Sequence, residues 1–150
     1  MKLRIELSQN PLPEERQAII NPLRAYNIAH AGEGHYQEIA LLVRDEQTDE
    51  ILGGLYAKLF YQWMFIDLLS VPEQARGQGT GSRLMHMAEE LAREKSCIGI
   101  YLDTFEFQAP KFYKKLGFTE IGQIADYPPG SKRFFFQKRL TAAEPNTDAH

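Results

Sequence analysis

The stretch Val71-Pro-Glu-Gln-Ala-Arg76-Gly77-Gln78-Gly79-Thr80-Gly81-Ser82 joins the most apolar run of the chain to its clearest amphipathic segment. The apolar run, Trp63–Val71 (WMFIDLLSV), predicts a buried strand that ends at Pro72. Beyond the junction, apolar residues recur at helical spacing: Leu84, Met87, Ala88 and Leu91. The junction is therefore predicted to be a glycine-rich loop between a strand and the start of a helix.

The loop has the chemistry of an anion site. Its three glycines, Gly77, Gly79 and Gly81, leave few side chains in the way, so backbone N–H groups can approach a ligand closely. The helix begins within the loop, and its unpaired N–H groups and positive dipole end point the same way. Guanidinium groups at Arg76 and Arg83 would add attraction for a diphosphate. These features predict a pyrophosphate cradle.

Three other interpretations compete with this one. A glycine-rich turn without a ligand is the simplest, although the strand–loop–helix context disfavours it. A nucleotide P-loop closes with Gly-Lys-Ser/Thr, whereas Gly81-Ser82-Arg83 has no lysine. A dinucleotide fingerprint requires GxGxxG after a parallel crossover, and the spacing of Gly77, Gly79 and Gly81 is different.

Upstream of the loop the pattern is mainly that of strands. Three apolar runs with short connections predict an antiparallel meander: Glu38–Arg44, Ile51–Tyr61 and Trp63–Val71. Gly53-Gly54 within the second run indicates a bulge or a close backbone approach.

The first 34 residues predict one strand and one helix. Lys2–Leu7 alternates apolar and charged residues, which predicts a short, half-buried strand. A helix is expected from Pro13 to about Ala29, kinked or restarted at Pro22. A flexible glycine-containing connection follows.

Downstream of the amphipathic helix, three strands and one short helix are expected. They are the strands Cys97–Leu102, Phe118–Ile124 and Arg133–Arg139 and the helix Ala109–Leu116, capped by Gly117. The complete order, β, α, βββ, α, β, α, ββ, predicts a mixed α/β (α+β) domain over residues 1–140. Residues 141–150 are expected to be a disordered tail, because they are almost free of apolar side chains.

Composition excludes several classes of protein. The chain has 150 residues, and 17 Lys and Arg against 20 Asp and Glu give a net charge of −3, which argues against a nucleic-acid partner. No stretch approaches the roughly 18 apolar residues of a membrane span, and the N-terminus lacks a secretory h-region. The single Cys97 excludes an intrachain disulfide and a multi-cysteine zinc site. A compact cytoplasmic protein without a metal is expected.

Two motifs together resemble the GNAT superfamily of acyl-CoA-dependent N-acetyltransferases. The family's pyrophosphate motif, Arg/Gln-x-x-Gly-x-Gly/Ala, is similar to the segment from Arg76 to Gly81. The family's Ala-x-x-x-Tyr-x-x-x-Gly-Phe segment is similar to the stretch from Ala109 to Phe118. One helix and one strand separate the two motifs, as in the family.

The resemblance implies a mostly antiparallel central sheet, flanked by helices and splayed between its fourth and fifth predicted strands. Acetyl-CoA would lie in that opening as the cosubstrate, with its pyrophosphate on the loop and its pantetheine arm along Phe65–Val71. The amine would approach from the other side. The cofactor-binding residues that the resemblance implies are Leu69, Val71, Arg76, Gly77, Gln78, Gly79, Thr80, Gly81 and Ser82.

Tyr113 stands at the family position whose hydroxyl donates a proton to the departing thiolate. The alternative is that Tyr113 only packs in the core, as Phe112 and Phe118 are expected to do.

Asp67 is the candidate general base, because it is the only charged residue in WMFIDLLSV. A carboxylate in so apolar a strand is costly unless it is hydrogen-bonded or functional. Strict alternation places it on the face of Trp63, Phe65, Leu69 and Val71. The alternatives are a structural aspartate held by hydrogen bonds, or a water molecule as the base.

Further candidates concern the acceptor and the pantetheine arm. His30, Glu33 and His35 either shape the acceptor site or belong to a solvated loop. Glu106 stands where many relatives place an asparagine, and Thr104 or Gln108 could substitute. An aromatic acceptor pocket could be formed by Tyr26, Tyr36, Tyr56, Trp63 and Phe105, and the alternative for these rings is core packing. Phosphate contacts could come from Lys111, Lys114 and Lys115, and the alternative for these lysines is a solvated helix face.

The resemblance implies transfer of an acetyl group from acetyl-CoA to a primary amine of a small molecule, directly within a ternary complex. The alternatives are a protein or peptide N-acetyltransferase and a non-catalytic acyl-CoA-binding module. Neither a nucleic acid nor a membrane is expected as a partner. A homodimer is a further possibility, through the aromatic run Phe134-Phe135-Phe136.

Overall fold

A computed structural model describes residues 1–141 of the chain. The chain divides into two compact units, Met1–Gly34 and a second unit that begins at His35. Apart from Thr141, the predicted tail lies outside the described residues. None of the helices within residues 1–141 is long and apolar enough to cross a membrane.

The first unit consists of an extended segment and the helix α1, Pro13–Ala31. The carboxylate of Glu15 accepts hydrogen bonds from the N–H of Leu12 and the hydroxyl of Ser8, both at 2.8 Å, and thereby fixes the helix start. Pro22 lies inside the helix and does not end it.

The predicted strand at Lys2–Leu7 is wrong, because these residues adopt no strand in the structure. Leu3, Ile5 and Leu7 are 79–100% exposed. Alternation supplies an apolar face, but a strand also needs a neighbouring chain to which its backbone can bond.

The second unit contains a sheet with the order β1-β2-β3-β4-β6-β5. The strands are β1 Gln37–Arg44, β2 Ile51–Phe60, β3 Trp63–Ser70, β4 Gly99–Phe105, β5 Thr119–Ala125 and β6 Lys132–Arg139. All neighbouring strands pair antiparallel except β3 and β4, which are parallel. The meander predicted for the first three of these strands and the mixed α/β class are confirmed.

The parallel pair β3–β4 is short. Its pairing runs from Trp63 opposite Gly99 to Ile66 opposite Leu102, whereas β3 continues to Ser70 and β4 continues to Phe105. The two strands therefore part over their C-terminal halves. This is the splayed sheet that the family resemblance implied.

The helix α2, Thr80–Glu94, packs on one face of the sheet. Its buried residues are Leu84, Met85, Ala88 and Ala92. Met87, predicted for the apolar stripe, is 43% exposed, and Met85 takes its place. The facing sheet residues form the core with them: Leu55, Ala57, Leu59, Met64, Ile66, Ile100 and Leu102. A short helix, α3, covers Pro110–Lys115 between β4 and β5.

Gly54 shows the close backbone approach that the sequence indicated in β2. Its φ is +148°, and a Cβ built there would clash with the carbonyl oxygen of Leu41 on β1. Gly54 is paired with Ser70, the last residue of β3, so its fit positions the strand that borders the opening.

We expect Gly54→Ala to lower the free energy of unfolding by about 2–3 kcal/mol, because both its backbone angle and its neighbour resist a side chain. Gly122→Ala, in β5, is the matched control, since a Cβ there has no neighbour within 4 Å. It should stay within about 0.5 kcal/mol of the parent. Urea denaturation of the two variants measures the difference, and equal losses would contradict this account.

Candidate functional site

A cavity of about 630 Å³ lies where β3 and β4 part. Its walls are residues 66–71 at the end of β3 and residues 102–105 at the end of β4, with Gly81 of α2 and Tyr113 of α3. Of the predicted site residues, Asp67, Leu69, Val71, Gly81 and Tyr113 line the cavity. The loop and the helix start beside the cavity contain the other predicted residues: Arg76, Gly77, Gln78, Gly79, Thr80 and Ser82.

The loop residues leave their amide hydrogens available. Gly77 and Gly79 have φ values of +79° and +76°, which few residues other than glycine adopt readily. Within residues 1–141, the N–H groups of residues 77–82 find no protein acceptor. These groups surround the N-terminus of α2, where an anion is favoured by both hydrogen bonding and the helix dipole.

Side chains of the loop hold its shape. The Thr80 hydroxyl donates to the carbonyl of Ala75 at 3.2 Å, and the Gln78 amide donates to the carbonyl of Gln74 at 3.1 Å. Arg76 and Ser82 are exposed. Two predicted residues therefore support the loop while the glycines keep it open.

Gly81 connects the loop to the cavity. A Cβ on Gly81 would lie 3.4 Å from both Cγ2 of Val71 and Cζ of Phe112. Because this position has no side chain, the start of α2 fits closely between the end of β3 and α3. The amides of the loop and the opening of the sheet thus meet at Gly81, which lines the cavity.

Asp67 occupies a β-bulge, which the sequence did not indicate. On β2, Tyr56 pairs with Leu68 and the next residue, Ala57, pairs with Ile66, so Asp67 is the extra residue. The bulge reverses the alternation beyond it, and Leu69 pairs with the buried Leu55 and packs on the core.

The expectation that Asp67 and Leu69 share a face is therefore wrong. The Asp67 carboxylate lies on the opposite face, where Oδ2 is 3.4 Å from Nζ of Lys58. The Asp67 side chain is 33% exposed. The ion pair keeps the carboxylate beside the cavity, and its role as a base stays a prediction.

Tyr113 is buried in the core and also lines the cavity, and its role as a proton donor stays a prediction. Its ring packs against Phe112, Phe118 and Phe136 at centroid distances of 5.1–6.2 Å. The residue is only 8% exposed yet lines the cavity, and no group within residues 1–141 hydrogen-bonds its hydroxyl. Burial, with a smaller effect of the negative charge on Asp103, raises the pKa of Tyr113 to about 12. The phenol is therefore neutral at physiological pH and carries a proton that no neighbour uses.

Gln108 is the better placed of the two proposed substitutes for the missing asparagine. The hydroxyl of Thr104 and the N–H of Phe105 both donate to Oε1 of Gln108, at 3.1 and 2.8 Å. This arrangement leaves the amide nitrogen of Gln108 without a partner among the described residues, at the wall of the cavity. Glu106 instead accepts a hydrogen bond from Ser131 at 3.4 Å.

Sequence reasoning missed the pair Asp103–Arg133, which lines the same cavity. Nε and Nη2 of Arg133 both donate to Oδ1 of Asp103, and the two side chains are only 23% and 18% exposed. The residues are 30 positions apart and meet through the pairing of β4 with β6. No local pattern in the sequence predicts such a pair.

The other acceptor-side candidates belong to different elements of the two units. His30 and Glu33 belong to the first unit. Phe105 lines the cavity, whereas Trp63 lies at the far end of β3, beside Tyr101. The lysines of α3 are exposed, and Lys114 approaches Glu120 at 3.9 Å. No three His, Cys, Asp or Glu side chains within residues 1–141 are placed to hold a metal ion.

Comparison with known proteins identifies the relatives of this chain. The sequence model of the Acetyltransferase (GNAT) family matches residues 4–118. An acetyltransferase of Agrobacterium fabrum is 37% identical over 127 residues, which cover 85% of this chain and 92% of that protein. The blasticidin-S acetyltransferase of Streptomyces morookaense is 44% identical over 95 residues, which cover 63% of this chain and 70% of that protein.

The fold has a counterpart among solved structures. The crystal structure of an acetyltransferase from Agrobacterium tumefaciens superposes with a TM-score of 0.86 at 36% sequence identity. The superposition covers 92% of this chain and all of the other.

The raised pKa of Tyr113 has a consequence for stability. Because the pKa is about 12 in the folded chain and about 10 in the unfolded chain, protonation of this phenol favours folding. That stabilisation is complete below pH 10 and is lost as the pH rises toward 12. Relative to Tyr113→Phe, the parent should therefore lose about 2–3 kcal/mol over this range.

Urea denaturation at several pH values between 9 and 12 measures the difference between the two curves. Tyr101→Phe, at a residue that is 43% exposed, controls for the loss of a phenol in general. Parallel curves for the parent and Tyr113→Phe would contradict the burial argument.

Proposed function

Because the chain belongs to the GNAT family of acetyltransferases, we propose that it transfers an acetyl group from acetyl-CoA to a primary amine of a small molecule. The observation that carries this proposal is the buried hydroxyl of Tyr113, which has no hydrogen-bond partner within residues 1–141 and lies in a cavity that adjoins the open amides of residues 77–82. The hydroxyl of Tyr113 is suited to the thiol end of the cosubstrate, and the amides of residues 77–82 are suited to its pyrophosphate.

The residues around the cavity fit acetyl-CoA. The N–H groups of residues 77–82 supply donors to the pyrophosphate, and Arg76 supplies a nearby positive charge. Beyond Ile66, the edge of β3 that faces β4 is freed from strand pairing, so backbone groups up to Val71 can bond the amide-rich pantetheine arm. The amide nitrogen of Gln108, which no described residue bonds, adds a donor from the opposite wall.

Acetyl-CoA supplies a thioester, whose carbonyl carbon is attacked by the neutral amine. The new C–N bond forms as the C–S bond breaks, the amine loses a proton and the departing thiolate gains one. We assign the proton that the thiolate gains to the hydroxyl of Tyr113, which burial keeps neutral and which has no competing partner among the described residues. The proton that the amine loses leaves through Asp67 or through water.

The named relatives support a small acceptor. The blasticidin-S acetyltransferase has a small molecule in its name, and 63% of this chain aligns with it. Blasticidin S therefore belongs in a first panel of amines, together with amino acids, polyamines and arylalkylamines. Release of free thiol from acetyl-CoA in the presence of each amine measures the activity.

Tyr113→Phe should lower kcat by about 100-fold or more, because it removes the proton donor for the thiolate. The KM for acetyl-CoA should change by less than about 2-fold, since the lost hydroxyl bonds only the departing sulfur. Steady-state kinetics on the best amine of the panel separate the two quantities. An unchanged kcat would remove Tyr113 from the mechanism, and binding of acetyl-CoA without turnover of any amine would favour a non-catalytic binding module.

Gly79→Ala tests the anion cradle, with Gly130→Ala as its matched control. Both glycines have a positive φ, +76° and +82°, and a Cβ on either meets nothing within 4 Å. Both variants should lose about 1 kcal/mol of stability. Only Gly79→Ala should weaken binding of coenzyme A, by about 5-fold or more, because only there does the added methyl group stand among the amides of the cradle and obstruct the approach of the pyrophosphate. Calorimetric titration with coenzyme A would reject the cradle if the two variants bound it equally.

A further inference from the structure

Asp103 is the first residue of β4 beyond its last pair with β3. Leu102 is still opposite Ile66, whereas Asp103 already borders the cavity. Its side chain is 18% exposed, and both donors of Arg133 bond to Oδ1 alone. Oδ2 is left without a partner among the described residues, so a partly buried carboxylate oxygen remains available to a ligand.

Arg133 is fixed in this position and is a poor candidate for binding the acceptor itself. Its guanidinium carbon lies 4.5 Å from the ring centre of Tyr127 and 5.0 Å from that of Phe105. Two of its three nitrogens are used by Asp103. Arg133 therefore orients the carboxylate, and it leaves Oδ2 as the polar group that faces outward from the pair.

Three aromatic rings continue from Asp103 toward solvent, and we call them the aromatic wall: Phe105, Phe107 and Tyr127. Phe105 lines the cavity and stacks on Phe107, with ring centres 5.2 Å apart and planes inclined by 11°. Phe105 also contacts Tyr127 at 5.7 Å. Phe107 is 67% exposed and Tyr127 is 42% exposed, so the wall offers ring surface to a ligand.

The carboxylate and the wall share one face of β4. Ile100 and Leu102 are buried in the core that includes α2, and Thr104 is also buried, whereas Asp103 and Phe105 alternate with them on the opposite face. Asp103 and Phe105 are two positions apart on the strand, a distance of about 7 Å. A primary amine joined to a flat ring by a short carbon chain can therefore reach the carboxylate and the wall together.

We propose that Asp103 binds the nitrogen of the acceptor through Oδ2 while the aromatic wall stacks against a flat ring of the same molecule. The preferred acceptors are then primary amines that carry an aromatic or heteroaromatic ring. This assignment rests on the proposed function and specifies the acceptor side of that site. Asp103 is a specificity-determining residue in it, distinct from Tyr113 on the thiol side.

The test compares phenethylamine with n-butylamine, which share the amine and differ in the ring. Binding of each to the protein loaded with coenzyme A is measured by calorimetry, and acetyl transfer to each is measured by thiol release. The parent should prefer phenethylamine in both measurements. Phe107→Ala should reduce that preference roughly 3- to 10-fold and leave butylamine unchanged, since the lost ring contacts only the aromatic probe.

Asp103→Asn should weaken both probes by roughly 10- to 100-fold and preserve the ratio between them, because it removes a charge-assisted hydrogen bond to the common nitrogen. The KM for acetyl-CoA should stay within about 2-fold. Glu89→Gln is the matched control, since Glu89 is 22% exposed and pairs with Lys138 outside this cavity. It should lower thermal stability without changing the affinity for either amine.

The outcomes separate this inference from the proposed function. Binding that follows the pattern above without release of thiol would support the acceptor site and overturn the acetyl transfer. Thiol release that is indifferent to Phe107→Ala and Asp103→Asn would support the transfer and overturn the acceptor site. Failure of the parent to bind phenethylamine more tightly than butylamine would also overturn it.

Discussion

The parting of β3 and β4 after Ile66 and Leu102 is the constraint on which the rest of the site depends. If β3 and β4 stayed paired along their whole length, the two strands would lie side by side where the cavity is, and their backbone groups would bond to each other. Because the pairing stops, backbone groups of β3 are available to a ligand, and the N-terminus of α2 opens toward the gap. The helix α2 packs on β2, β3 and β4 and so covers the strands on both sides of the gap.

The parts of this site that could be predicted from the sequence are those that depend only on residues close together in the chain. The glycine spacing from Gly77 to Gly81 requires a backbone that avoids side chains, and the apolar period after Thr80 requires a helix on the core. Tyr113 is fixed relative to Gly117 by one short helix. Each of these relations spans fewer than about ten residues, so local physical chemistry decides it.

The parts that sequence reasoning missed depend on neighbours distant in the chain. Whether Lys2–Leu7 becomes a strand is decided by a bonding partner that its own alternation cannot supply. The pair Asp103–Arg133 exists because β6 lies beside β4, an order that inverts the sequence order of β5 and β6. A periodic pattern carries no information about which strand will be adjacent.

The bulge at Asp67 also depends on a neighbouring strand, and it has the largest effect of these features. One extra residue reverses the face of the sheet that every later side chain of β3 occupies. Without it, Leu68 would face the core and Leu69 would face away. With it, Leu69 and Val71 pack on the core, and Val71 lies against the glycine at the start of α2. The outer half of β3 is thereby attached to the core and to α2, which favours its separation from β4. The extra residue, Asp67, thus turns its carboxylate toward Lys58 and at the same time sets which face of the strand Leu69 and Val71 occupy beside the cavity.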